Sequence, residues 1–133
     1  MKNSLIKKAI KARNRAYTPY SKFKVGAALL AESGEIYTGC NIENAAYPVS
    51  CCAERVAIFK AISSGERKFK QMAVVADTDR PVSPCGSCRQ VMAEFFSKDM
   101  PIYLTNLQEE TLHTSIEELL PGSFQSTDLK QDD

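Results

Sequence analysis

The segment Pro84-Cys85-Gly86-Ser87-Cys88-Arg89 places two thiols three residues apart. On an opening helical turn that spacing puts both sulfurs on one side. Alone, the pair leaves metal binding, redox chemistry and plain core packing open. A redox pair of this type usually lies early, beside a βαβ unit, whereas this one lies late. A closed structural zinc site needs a fourth strong ligand, and the sole histidine, His113, stands in a polar stretch without a companion.

Cys52-Ala53-Glu54 shifts the balance. Inside a helix, residues two apart point about 200° away from each other, so Cys52 and Glu54 converge only where a helix begins. If Cys85 opens the next helix, two positive helix ends meet at one point and favour thiolates there. Three thiolates then hold a tetrahedral zinc with one open position for water, as catalytic sites do. Such a set carries a net charge of about −1 and makes bound water less acidic than imidazole ligands would. A guanidinium donating to sulfur offsets that charge. Arg55 and Arg89 each follow a proposed ligand directly, and Arg55 is preferred because it flanks the Cys52–Glu54 pair. The alternative is that both arginines are solvated helix residues.

The elements that must position these groups follow from periodicity. Leu5, Ile6, Ala9, Ile10 and Ala12 make one apolar helical face, ending before the Tyr17–Tyr20 stretch with Pro19. Lys24 to Ala31 and Glu35 to Cys40 read as two strands joined by a Glu32-Ser33-Gly34 turn. From Asn41 to Ser50 there is no period. Ala53, Val56, Ala57, Phe59, Ala61 and Ile62 recur at helical intervals until Gly65. Met72 to Ala76 is a strand, a helix begins just after Pro84 and runs to Phe96, Ile102 to Thr105 is a strand, and a weaker helix lies near Ser115 to Leu120. Strands separated by single helices predict partly parallel pairing, in a three-layer α/β/α arrangement around a mixed, roughly five-stranded sheet. Residues 1–124 are expected to form one domain and 125–133 a polar tail.

Bulk properties narrow the function. With 17 Lys and Arg against 16 Asp and Glu, there is no basic surplus for a polyanionic backbone, so nucleic acid is not the expected partner. No stretch is long enough to span a membrane. The charged start, MKNSLIKKAIKARNRAY, lacks the apolar run of a secretory signal, and five cysteines, an odd number, fit reduced thiols in the cytoplasm.

CAE followed by PCGSCRQ resembles the zinc-dependent cytidine deaminases, specifically the small homotetrameric form with three cysteine ligands. The wider signature is H-x-E followed by P-C-x-x-C, with the glutamate as acid/base rather than ligand. Cys52 stands where that pattern has histidine. The resemblance extends through Tyr20 to Ala28 and Gly39 to Asn44, and covers about residues 17 to 105. It implies one zinc per chain on Cys52, Cys85 and Cys88, and hydrolytic deamination of cytidine and deoxycytidine by a zinc-bound hydroxide, in pyrimidine salvage. Glu54 would carry the proton, Asn41 and Glu43 would hold the sugar hydroxyls, and Phe23 would pack on the base. The backbone near Ala53 would fix the base's amide face. Tyr47 and Phe124 would complete a neighbouring subunit's pocket in a homotetramer.

Each assignment has a plainer alternative: strand termination for Asn41 and Glu43, a core aromatic for Phe23. Cys40 reads as a small buried hydrophobe, and Cys51 has no assigned place. A blasticidin-type deaminase shares the three-cysteine site, but Asn41 and Glu43 favour a plain ribose. A strand-editing deaminase would need a basic or aromatic platform that is missing here. A structural zinc module leaves Glu54 without a task.

Overall fold

In the computed structural model, which describes residues 1–129, helix α1 (Lys2–Arg13) is followed by strands β1 (Val25–Ala31) and β2 (Ile36–Cys40). Then come a 3-10 turn (Tyr47–Val49), α2 (Ala53–Ser63), β3 (Phe69–Ala76), α3 (Gly86–Phe95), β4 (Ile102–Thr105), β5 (Thr111–Thr114), the short α4 (Ile116–Leu119) and a second 3-10 turn (Ser126–Asp128). The expected tail at 125–133 lies partly outside the described residues.

The strands form one sheet in the order β2-β1-β3-β4-β5. Among the strands of the described residues, only β3 and β4 pair in parallel, the pair that α3 connects. That matches the need of parallel neighbours for a crossover, while the β1–β2 hairpin closes through a tight turn with Gly34 at φ 98°.

Strand alternation explains the layers. Ala28 and Leu30 of β1, Ala73 and Val75 of β3 and Tyr103 of β4 face α1, whose Leu5, Ile6 and Ala9 are buried against them. The intervening Ala27, Leu29, Met72, Val74, Ile102 and Leu104 face α2 and α3. The expected three-layer α/β/α arrangement with a mixed five-stranded sheet is what the chain adopts. Among the described residues, no helix is long and apolar enough to cross a membrane.

One strand escaped the periodicity. Thr111–Thr114, the stretch containing His113, pairs antiparallel with β4 at the sheet edge. Its Leu112 is exposed and its residues are mostly polar, because an edge strand with one solvated side needs little apolar content. His113 rests tilted against the Tyr103 ring, with centroids 5.1 Å apart.

Two glycines set how closely the helices seat. A Cβ on Gly26 would lie 2.0 Å from the Ala9 carbonyl oxygen in α1. On Gly39 it would lie 2.5 Å from the Ala53 carbonyl oxygen and 2.6 Å from the Ala57 nitrogen. The first turn of α2 therefore rests directly on the β2 backbone, a contact only glycine permits.

Candidate metal centre and active site

Cys52 and Cys85 occupy equivalent positions at the starts of two helices. Each has extended backbone (φ −72°, ψ 154° and φ −68°, ψ 166°) and immediately precedes the first residue of α2 or α3. Their carbonyls already accept the first helical bonds, from Val56 N–H at 3.1 Å and Arg89 N–H at 3.0 Å. Cys88 follows in the first turn of α3 and is fully buried. The two helix starts bring the three sulfurs within 4.8 Å of one another, with Cys52 Sγ and Cys85 Sγ 3.7 Å apart. Sulfurs about 2.3 Å from a tetrahedral zinc stand about 3.8 Å from each other, so the donor set fits that ion in both type and spacing.

The electrostatics fit as well. Hydrogen bonds from Cys88 first, and then from Arg55 and Cys85, push the Cys52 thiol down to about 5 against the opposing effect of burial. Cys88 moves the other way, held up by its bond to Cys52 and by its own burial. One negative sulfur is favoured and crowds out a second, so three thiolates at this spacing call for a cation among them. Arg55 Nη2 donates to Cys52 Sγ at 3.3 Å. Arg89 is engaged elsewhere: its Nε donates to the Pro84 carbonyl at 2.8 Å and its Nη1 to the Leu119 carbonyl at 2.6 Å. Arg55 Nε is buried without a partner.

Glu54, in the first turn of α2, is only 5% exposed. Burial pushes its carboxyl up to about 7, and the nearby Cys52 charge adds to the effect. A carboxyl poised there exchanges a proton readily near neutral pH. Ala53, one residue earlier, is buried.

A second cluster lies alongside. Ile42 and Cys51 exchange two backbone bonds of 2.9 Å, while Tyr17 N–H donates to the Asn41 carbonyl at 3.0 Å and Glu43 N–H to the Tyr17 carbonyl at 2.9 Å. Residues 41–43 thus run beside the chain entering α2, with the side chains of Asn41 and Glu43 on the same side. This gives Cys51 a place: its backbone ties that segment to the Cys52 helix start, and burial raises its thiol.

Asn41 accepts from Val25 N–H at 2.9 Å through Oδ1 and donates to the Phe23 carbonyl at 2.7 Å through Nδ2. Glu43 Oε1 accepts from Tyr20 N–H at 3.0 Å and Ser21 N–H at 3.1 Å, and Oε2 accepts from the Ser21 hydroxyl. That hydroxyl is the main reason the Glu43 carboxyl lies below its usual range. Phe23 is 41% exposed rather than buried in the core. A cavity of about 410 Å³ lined by Tyr20, Ser21, Glu43, Tyr47 and Ser50 adjoins this cluster.

Tyr47 lines that cavity beside Glu43, whereas Phe124 is not among its lining residues. Tyr47 is 70% exposed and meets Tyr20 edge to face, centroids 5.8 Å apart. Phe124 is also exposed, its carbonyl accepting from Gln90 Nε2 at 3.0 Å. Sequence reasoning passed over Ser21. Its signal was a serine two residues before an aromatic in an irregular stretch, where the hydroxyl accepts from Phe23 N–H at 3.0 Å.

The family model described as "Cytidine and deoxycytidylate deaminase zinc-binding region" matches residues 1–104. A cytidine deaminase from Sporosarcina psychrophila is 62% identical over 125 residues, covering 94% of this chain and 92% of that protein. One from Halalkalibacterium halodurans is 56% identical over 125 residues, covering 94% and 95%. The crystal structure of cytidine deaminase from Burkholderia pseudomallei superposes with a TM-score of 0.91 at 47% identity, covering 93% of this chain and 99% of that one.

Proposed function

The chain belongs to the cytidine and deoxycytidylate deaminase family, and from that premise we propose that it hydrolyses cytidine and deoxycytidine to uridine and deoxyuridine, releasing ammonia, in pyrimidine salvage. One observation carries the reading: a buried glutamate stands at the same helix start as one of three clustered cysteines.

Cys52, Cys85 and Cys88 would hold one zinc per chain, which when bound would supply the Lewis acidity that makes water nucleophilic at neutral pH. Arg55, donating to Cys52, withdraws negative charge from the sulfurs. Glu54 takes one proton from the attacking water and delivers it to ring N3, then takes the second from the new C4 hydroxyl and passes it to the amine, which leaves as ammonia as the C4 carbonyl forms. Its burial supports both steps, because a carboxyl near 7 both accepts and returns a proton at working pH. Phe23 presents an aromatic face to the pyrimidine, the backbone at Ala53 holds its amide edge, and Asn41 and Glu43 bind the sugar hydroxyls.

The working unit in this reading is a cytoplasmic homotetramer. Tyr47 and Phe124 reach the pocket of a neighbouring subunit, and their exposure supports that placement. Residues 1–124 act as one unit and 125–133 as a polar tail. Neither nucleic acid nor a membrane is a partner.

The test is ammonia release from cytidine, deoxycytidine, cytosine, blasticidin S and a cytidine-containing oligonucleotide. The free nucleosides are expected to turn over. Turnover of the oligonucleotide or of blasticidin S with none of the nucleosides would overturn the salvage reading.

A further inference from the structure

The Glu43 carboxylate offers about four lone-pair positions, two on each oxygen. Backbone N–H groups of Tyr20 and Ser21 fill both positions on Oε1. The Ser21 hydroxyl fills one on Oε2. A single acceptor position is left, and it lies on Oε2. Asn41, similarly, gives one amide hydrogen to the Phe23 carbonyl and one lone pair to Val25 N–H, leaving one donor and one acceptor.

We propose that Ser21 is a positioning residue for sugar recognition, whose hydroxyl fixes the plane of the Glu43 carboxylate so that its one free acceptor position faces the sugar. The inference rests on the assignment of Asn41 and Glu43 to the sugar hydroxyls. Without the hydroxyl, Oε1 stays anchored to two N–H groups, but Oε2 has no partner and the terminal torsion, which is broad for carboxylates, is free to turn. The same hydroxyl accepts from Phe23 N–H at 3.0 Å, so it also steadies the residue that presents an aromatic face to the base. Sugar and base contacts are therefore set by one side chain that touches neither. The backbone shows the loop is specified: the next residue, Lys22, is held at φ 59°, a left-handed conformation a lysine rarely adopts.

The readout is the ratio of kcat/KM for cytidine to that for its dideoxy analogue, which lacks both ring hydroxyls of the sugar. Any loosening of Phe23 affects both substrates and cancels in the ratio. Ser21→Ala is expected to lower the ratio about tenfold, mainly through KM for cytidine, since a bond to a charged group is at stake. Ser21→Thr, which keeps the hydroxyl at an exposed position, is expected to hold the ratio within about twofold of the unmodified enzyme. Glu43→Ala separates the two ideas. If it collapses the ratio while Ser21→Ala leaves it unchanged, Ser21 has no positioning role and the sugar assignment stands. If Glu43→Ala itself leaves the ratio unchanged, the sugar assignment falls and the proposal with it.

Discussion

The two halves of the site are held by different kinds of structure. At the metal end, two helix starts, a first-turn cysteine and a glycine contact fix every group through backbone geometry, and Cys88 and Glu54 are buried. At the sugar end, an irregular loop over residues 20–24 and the start of β1 are braced against Asn41 and Glu43 by side chains, most of them exposed. Rigid backbone suits a centre where sulfurs must keep a fixed spacing and a carboxyl must stay dry. A side-chain brace suits a surface that meets a wet, hydroxyl-rich ligand. Damage at the first end should therefore appear in kcat and metal content, and damage at the second in KM.

The largest break in that contrast comes from Glu54→Gln. The amide keeps the shape and burial of the carboxyl but moves no proton, so kcat is expected to fall by about 10³-fold or more. Zinc content, measured by atomic absorption on the dialysed protein, is expected to stay at its original level. Loss of metal in step with activity would mean that Glu54 supports the sulfur cluster instead of working beside it.

Gly39→Ala tests whether backbone packing sets the metal end. The new methyl would meet the Ala53 carbonyl oxygen and the Ala57 nitrogen, neither of which yields as a flexible side chain does. The first turn of α2 must move off β2, carrying Cys52 and Glu54 away from α3. Overpacking of this kind costs about 1–3 kcal/mol of stability, and misplacement by about 1 Å lowers a rate by about 10²-fold. Gly86→Ala is the control, since a Cβ between the two α3 cysteines meets nothing within 4 Å. Its zinc content and melting temperature are expected to match the parent. Equal zinc loss in both variants would show that the region is merely fragile.

The same contrast explains what was legible in the sequence. Cys52 and Glu54 were readable because residues two apart converge only at a helix start, and Cys85 and Cys88 because their spacing fits one turn. Arg55 was preferred over Arg89 for flanking the Cys52–Glu54 pair, but both follow a cysteine, and only tertiary contacts, which send Arg89 to the Pro84 and Leu119 carbonyls, separate the two. Thr111–Thr114 was missed because a polar edge strand carries little apolar alternation. Ser21 and Cys51 were missed because they act through partners distant in sequence, the Glu43 carboxylate and the Ile42 backbone, and no local period marks such pairings.

The smallest effect expected is from Lys22→Gly, which asks whether the sugar-end loop is held by its hydrogen bonds or by its own backbone. Lysine at φ 59° sits in a strained region, and glycine removes that strain. Glycine also gives the unfolded chain more freedom, by about 0.4–1 kcal/mol, in the opposite direction. The two effects nearly cancel, so the melting temperature is expected to stay within about 5 °C of the parent. The bond from Lys22 N–H to the Thr18 carbonyl, 3.1 Å, and every bond to Glu43 survive the change. If those bonds hold the loop, KM for cytidine stays within about twofold. A KM increase as large as that of Ser21→Ala would instead mean that the left-handed lysine itself shapes the loop, and that the sugar end, like the metal end, is governed by its backbone.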